Sequence, residues 1–245
     1  MPTYKLTIEY EGSNFVGWQK QENGISIQSS IEESICNLTK ENTNVFGAGR
    51  TDSGVHAKGQ VAHFNIKKKF SNSTIRDGLN QYLRPKTISI LKVESVNKDF
   101  HSRFNAKLRH YEYKIINRRS PLTLNKNYAW IVYKKLNINK MKQAAKYFIG
   151  KNDYNAFRSI NCQSSSSIKT IKNFKVDSKG EEILINVSAK SFLHSQVRIM
   201  VGTIVEVGKE KIEPLKIKEI IKNKKRKQAG PTAPAHGLYL LKVDY

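Results

Sequence analysis

The sequence predicts an α+β protein made of two successive β-α-β-β-α-β halves, each of ferredoxin-like topology with an antiparallel sheet. Three observations predict it. Period-two apolar alternation and helical apolar stripes follow one another in that order along residues 4–96. The same order returns over residues 109–243, as a repeat of topology and not of sequence. Hydrophobic residues, 38% of 245, are spread along the chain, enough to give each half a core and to exclude global disorder.

In the first half, Tyr4–Tyr10 alternates as a strand, and Gly12, Ser13 and Asn14 turn the chain. A helix runs from Ser26 to about Lys40 with Ile27, Ile31, Ile35 and Leu38 on one face. Val45–Gly49 reads as a short strand entering a Gly-rich loop, and Gln60–Ile66 alternates again. Ser73 is expected to cap a helix carrying Ile75, Leu79 and Leu83, and Ile88–Val96 closes the half as a strand.

The second half opens on a strand over Arg109–Asn117 with Tyr111, Tyr113 and Ile115 on one side. Asn139 starts a helix with Met141, Ala144, Ala145 and Phe148. Strands come next over Ile168–Val176 and Ile183–Val187, separated by a turn at Ser178, Lys179 and Gly180. Phe192–Val207 is a helix ended by Gly208, Pro214 opens a Lys-rich helix, and Gly237–Val243 is the last strand. The boundary falls near Phe104, giving expected domains at 1–104 and 105–245.

Charge narrows the function. Lys and Arg number 43 against 20 acids, a formal +23. Self-repulsion of that size destabilises a compact state, so a polyanionic partner accounts for it better than a small metabolite does. A lysine-rich genome is the plainer explanation, and the abundance of Lys, Asn and Ile fits it too. Nucleic acid is favoured over a membrane, because no apolar run approaches a bilayer-spanning length and no export signal is visible. Cys36 and Cys162 fit neither a metal motif nor a disulfide framework, so no metal is expected and the cytoplasm is the expected compartment.

The segment Gly47–Ala57, GAGRTDSGVHA, carries the chemistry. Its three glycines allow unusual backbone angles and close approach to a ligand. Arg50 and Asp52 sit between them, a cation and a carboxylate two residues apart. Taken locally, Asp52 also fits an Asx turn and Arg50 a solvated surface charge. His56 and His63 read either as bases or as hydrogen-bonded structural histidines. Arg198 lies in VRIMVGTIV, apolar on nearly every side, so it is expected to be buried against an anion, with Asp52 the candidate. The other reading has its long stem carry it out at the helix edge. Clusters at Lys67–Lys69 and across 209–227 suit phosphate contact or a solvated helix face.

GRTDSGVHA resembles the signature of the tRNA pseudouridine synthase A family, and the resemblance covers nearly the whole chain. It takes in Tyr4–Trp18, Phe100–Phe104, Arg109–Tyr113, Phe192–Gly202 and Ala233–Leu238, in order. Gln196 departs from the pattern, where Met is expected. The resemblance implies that Asp52 is the catalytic aspartate, Tyr111 the ring that stacks on the target base, Arg198 the cation paired with the aspartate and Arg50 the arginine that helps extrude the nucleotide. Arg103, His56 and Lys58 are expected to contact the RNA. Both halves are expected to join around a central basic active-site cleft, the first carrying the Asp52 loop and the second Tyr111 and Arg198.

The resemblance further implies an isomerase that turns uridine into pseudouridine at positions 38–40 of the tRNA anticodon arm, working as a homodimer. Uracil is detached, rotated and rejoined through carbon without redox or phosphoryl transfer, so no cofactor is expected. The base must leave its stack, which costs a few kcal/mol and calls for an aromatic platform. A paralogue retargeted to ribosomal RNA would keep the same motif. A non-catalytic RNA-binding module would not need Asp52 and Arg198 together. A zinc base deaminase is excluded, since its His-x-Glu and Cys-x-x-Cys spacings are absent.

Overall fold

Alternation at the N-terminus becomes strand β1, Thr3–Tyr10, with Tyr4, Leu6, Ile8 and Tyr10 all buried. In the computed structural model, which describes residues 1–245, β1 pairs antiparallel with β3 (His56–Asn65) on one side and β4 (Ile88–Val96) on the other. A two-residue strand β2 (Phe46–Gly47) pairs with β3. Two helices complete this unit. Helix α1 (Ile27–Thr39) starts at a Ser26–Ser29 capping box and stops at Lys40, whose φ of 62° is left-handed. Helix α2 (Asn72–Leu83) packs on α1 and β4, burying Ile75, Leu79 and Leu83. Its cap is Ser71, whose hydroxyl accepts the Thr74 N–H, and not Ser73 as expected. Both serines suit a cap by type, and only the one three residues before a free N–H can serve.

The second unit has strand order β5 (Leu108–Asn117), β9 (Glu182–Ala189), β8 (Ile168–Lys179), β7 (Gly150–Asp153), with β6 (Trp130–Val132) parallel to β5. Strands β6 and β7 were not expected. Three residues are too few for alternation to show, and Gly-Lys-Asn-Asp has no apolar member, so its pairing with β8 alone makes β7 a strand. Helix α3 (Ile138–Lys146), capped by Asn137, packs on β8 and on α4 (Gln196–Gly208). Helix α5 (Lys216–Asn223) begins just after Pro214. The expected start of α4 at Phe192 is corrected to Gln196. Ser195 takes φ 57°, and residues 193–196 turn through a Gln196 N–H to Leu193 carbonyl bond.

The two compact units are Met1–Lys107 with Leu240–Tyr245, and Leu108–Tyr239. The last strand, β10 (Leu238–Asp244), is therefore divided between them, and its later residues lie beside β3 in the first unit.

Helix α4 is buried almost all round, as its apolar sequence requires. Residues 229–233 cross it at Gly202, where an added Cβ would sit 1.8 Å from the Pro231 carbonyl oxygen. The Gly230 N–H donates to the Thr203 hydroxyl at 2.9 Å, and the Arg226 guanidinium donates to the Gly230 carbonyl at 2.9 Å. Gly202→Ala is therefore expected to reverse the usual helix trend. Overpacking against backbone lies at the upper end of about 1–3 kcal/mol and outweighs the propensity gain of about 1 kcal/mol, for a net loss of about 1–2 kcal/mol in denaturant unfolding.

Candidate active site

The loop that carries Asp52 is held by its neighbours on several sides. The Trp18 N–H donates to the Thr51 carbonyl at 3.0 Å, and the Ser53 hydroxyl donates to the Phe15 carbonyl at 2.9 Å. Thr51 and Tyr10 share a hydroxyl hydrogen bond at 2.8 Å, and the Gln60 side-chain amide donates to the Gly49 carbonyl at 2.8 Å. Burial pushes the Tyr10 phenol up to about 12, partly offset by its bonds to Thr51 and Gln60, so it stays a neutral partner. The loop closes on itself through the Val55 N–H, which donates to the Asp52 carbonyl, and Gly54 takes φ 76°. At Gly17, with φ 112°, an added Cβ would lie 2.7 Å from the Thr51 carbonyl oxygen, so this turn can seat the loop only as glycine.

On this frame Asp52 is half-buried, while Arg50 and Lys58 are exposed. A carboxylate on a fixed backbone with a partly open face can act as nucleophile or proton acceptor. His56 is 2% exposed, and its Nδ1 accepts the Gly12 N–H at 3.0 Å, with a Glu11 carboxylate oxygen 3.7 Å away. That geometry holds the turn after β1 against the loop, and a ring this buried has no open face for the RNA contact expected of it. The first unit thus gathers Arg50, Asp52, His56 and Lys58 on one loop and the start of β3, with Arg103 exposed in the Phe100–Phe104 turn.

In the second unit, Tyr111 lies on β5 opposite Val187, with the Phe192 ring edge-on at 5.3 Å. Arg198 occupies the first turn of α4 and is half-buried, so the expectation of full burial is corrected: its long stem brings it to the helix edge. Its Nε donates to the Ala233 carbonyl at 2.8 Å, and the Ala233 N–H donates back to the Arg198 carbonyl at 3.1 Å. Tyr113 is fully buried, donates to the Pro234 carbonyl at 2.7 Å, and has its phenol pushed up by burial. Gln196 is buried as well. Its side-chain carbonyl accepts the Leu193 N–H at 2.8 Å, and its amide nitrogen has no hydrogen-bond partner. A methionine at this position would leave no such atom.

Tyr10, Thr51 and Gln60 support the loop and were missed by sequence reasoning. Each reads there as an ordinary strand or loop residue, and no local signal marks it. Cys36 and Cys162 are both free thiols. No group of three or more His, Cys, Asp or Glu side chains is placed to hold a metal ion. No helix is long and apolar enough to cross a membrane.

His63, one of the two candidate bases, is instead buried in the first unit. Its Nδ1 lies 3.0 Å from the Ser102 hydroxyl and accepts the Ser102 N–H at 3.2 Å. Burial, together with the charge of His101, pushes it down to about 4. The unfolded chain therefore binds the extra proton first as pH falls. The stabilisation is complete above about 6.5 and is lost as pH falls from there towards 4. Thermal unfolding across that window should show Tm rising with pH, and His63→Gln should flatten that part of the slope.

A family profile described as tRNA pseudouridine synthase matches residues 6–105 and 144–245. Among curated relatives, a protein named tRNA pseudouridine synthase A from Ehrlichia chaffeensis is 51% identical over 243 residues, covering 99% of each chain. One of the same name from Anaplasma phagocytophilum is 51% identical over 244 residues, again covering 99% of each. Another, from Parvibaculum lavamentivorans, is 47% identical over 245 residues and covers 100% of both chains.

Proposed function

This chain belongs to the tRNA pseudouridine synthase family, and from that premise we propose that it isomerises uridines at positions 38–40 of the tRNA anticodon arm with Asp52 as nucleophile. Conversion of uridine to pseudouridine in tRNA is the activity that goes with the family. In that reaction the bond between uracil N1 and the ribose C1′ breaks and a bond from C5 to C1′ forms. A proton leaves C5 and one is taken up at N1, so nothing is oxidised or reduced.

The observation that supports the Asp52 role is the clamped loop. The Trp18 and Gln60 bonds to the loop backbone, with the side-chain bonds of Thr51 to Tyr10 and of Ser53 to the Phe15 carbonyl, hold the loop on both sides of one half-buried carboxylate. Preorganisation of this kind lets a carboxylate meet the reacting carbon with little reorganisation. Arg50 helps extrude the nucleotide, Tyr111 receives the uracil face and Arg198 is the cation matched to the aspartate. Lys58 and Arg103 contact the RNA backbone, and His56 serves by holding the loop.

Pseudouridine mapping of total RNA from a deletion strain tests the target. Loss at tRNA positions 38–40 is expected, and loss confined to ribosomal RNA would overturn it. The enzyme is proposed to act in the cytoplasm as a homodimer, with one tRNA spanning two basic surfaces. Sedimentation at micromolar concentration is expected to give a dimer, and a fully active monomer would sink that part.

A further inference from the structure

The Phe100–Phe104 motif has no part in the chemistry beyond Arg103, yet it ends a continuous stack of rings inside the first unit. Tyr245 lies 5.0 Å from Phe100, Phe100 stands edge-on to His63 at 5.9 Å, and His63 stacks on Phe46 at 5.2 Å. His101 closes on His63 at 4.7 Å and on Phe46 at 5.7 Å, and Phe104 lies 4.3 Å from His101. The stack runs from buried His63 to the surface, where Phe46 is 44% and Phe104 71% exposed. A phenylalanine left that open forgoes most of its burial energy, an arrangement that makes sense where the free face has a use.

The outer ring is also held in place. The His101 Nδ1 accepts the Arg103 N–H at 3.2 Å, and the Asn105 N–H donates to the His101 carbonyl at 3.0 Å. The Arg103 guanidinium lies 5.6 Å from the centre of the Phe104 ring. An aromatic face backed by a second ring and flanked by an arginine is what unpaired nucleic-acid bases stack on. The formal charge of +23 favours a polyanionic occupant over a protein partner.

We propose that Phe104, backed by His101 and flanked by Arg103, is a stacking platform for an unpaired base of the tRNA other than the uridine being isomerised. This rests on the reading of the chain as a tRNA-modifying enzyme. It adds a contact that fixes the anticodon loop while the target base is out of its stack.

The test uses the full-length protein, a tRNA transcript carrying the target uridines, and anticodon-loop positions replaced one at a time by 2-aminopurine. Phe104→Ala is expected to raise the tRNA Kd by roughly tenfold or more, with the loss falling on KM far more than on kcat. Phe104→Trp should restore binding. One 2-aminopurine position should be quenched by the parent and by Phe104→Trp but not by Phe104→Ala. Stacking releases no counterions, so Phe104→Ala should leave the salt dependence of Kd unchanged, whereas Arg103→Ala should lower its slope by about one. An unchanged Kd for Phe104→Ala, with the parent active, overturns the platform and leaves the isomerase reading standing. A changed oligomeric state that Phe104→Trp does not repair assigns the ring to a protein interface and overturns it as well. A parent that binds tRNA without isomerising it sinks the isomerase reading, and the platform is then judged on binding and quenching alone.

Discussion

Asp52→Asn is expected to abolish isomerisation, by at least about a thousandfold in single-turnover assays, while tRNA affinity stays within about tenfold. The amide is nearly isosteric with the carboxylate and leaves the loop's anchors untouched. These are the Trp18 N–H on the Thr51 carbonyl, the Thr51 hydroxyl on Tyr10 and the Val55 N–H on the Asp52 carbonyl itself. The substitution removes the anionic oxygen that acts as nucleophile or proton acceptor. Affinity is spared because phosphate contacts by many lysines and arginines dominate it, and one acidic side chain contributes little to them. The two readouts separate chemistry from binding. Substantial turnover by Asp52→Asn would remove the nucleophile assignment, and a collapse of affinity would show that the loop, not the carboxylate, had been disturbed.

Arg198→Met is the second large effect, and it falls on activity much more than on stability. From sequence alone the residue reads as a buried charge, whose unpairing costs about 3–5 kcal/mol. In the structure it is half-buried, and the substitution removes among its contacts the Nε bond to the Ala233 carbonyl. One hydrogen bond of this kind is worth about 1–3 kcal/mol, and methionine replaces part of the apolar stem. A modest fall in Tm is therefore expected beside a loss of roughly a hundredfold or more in kcat/KM. Arg198→Lys should keep most of the stability and less of the activity, because a point charge lacks the guanidinium fork that can hold Ala233 and still present further donors. Thermodynamic coupling between Arg198→Met and Asp52→Leu tests the pairing that the resemblance implies. Simple additivity of the two effects on unfolding would exclude it.

Local pattern carries far in this chain. The alternation of Tyr4, Leu6, Ile8 and Tyr10 and the stripes of Ile31 and Ile35 or Ile75, Leu79 and Leu83 each became the element they indicate. The reason is physical, since a period of two or of 3.6 residues lets only one conformation bury its apolar face. The boundaries were less legible. Ser71 and Ser73, or Asn137 and Asn139, are equivalent by type, and only the direction of the chain entering the helix decides which one reaches a free N–H. At Phe192–Ser195 the helical pattern runs on, yet a left-handed Ser195 delays the helix to Gln196.

The segment around Asp52 was legible from its three closely spaced glycines, and the run around Arg198 because a guanidinium among aliphatics is costly unless it finds a partner or an exit to water. The sequence by itself therefore determined the family, the α+β class, the order of the main strands and helices, and the loop where a carboxylate is displayed. Only the tertiary structure decided what holds that loop and what stands beside it. The Tyr10–Thr51 and Gln60–Gly49 bonds join residues 41 positions apart and 11 positions apart. The ring stack from Tyr245 to Phe104 ties the C-terminal residue to the middle of the chain. Strand β7 exists only because β8 pairs with it. Partners distant in sequence leave no periodic trace, since each looks locally like an ordinary strand or loop residue until the fold brings them together.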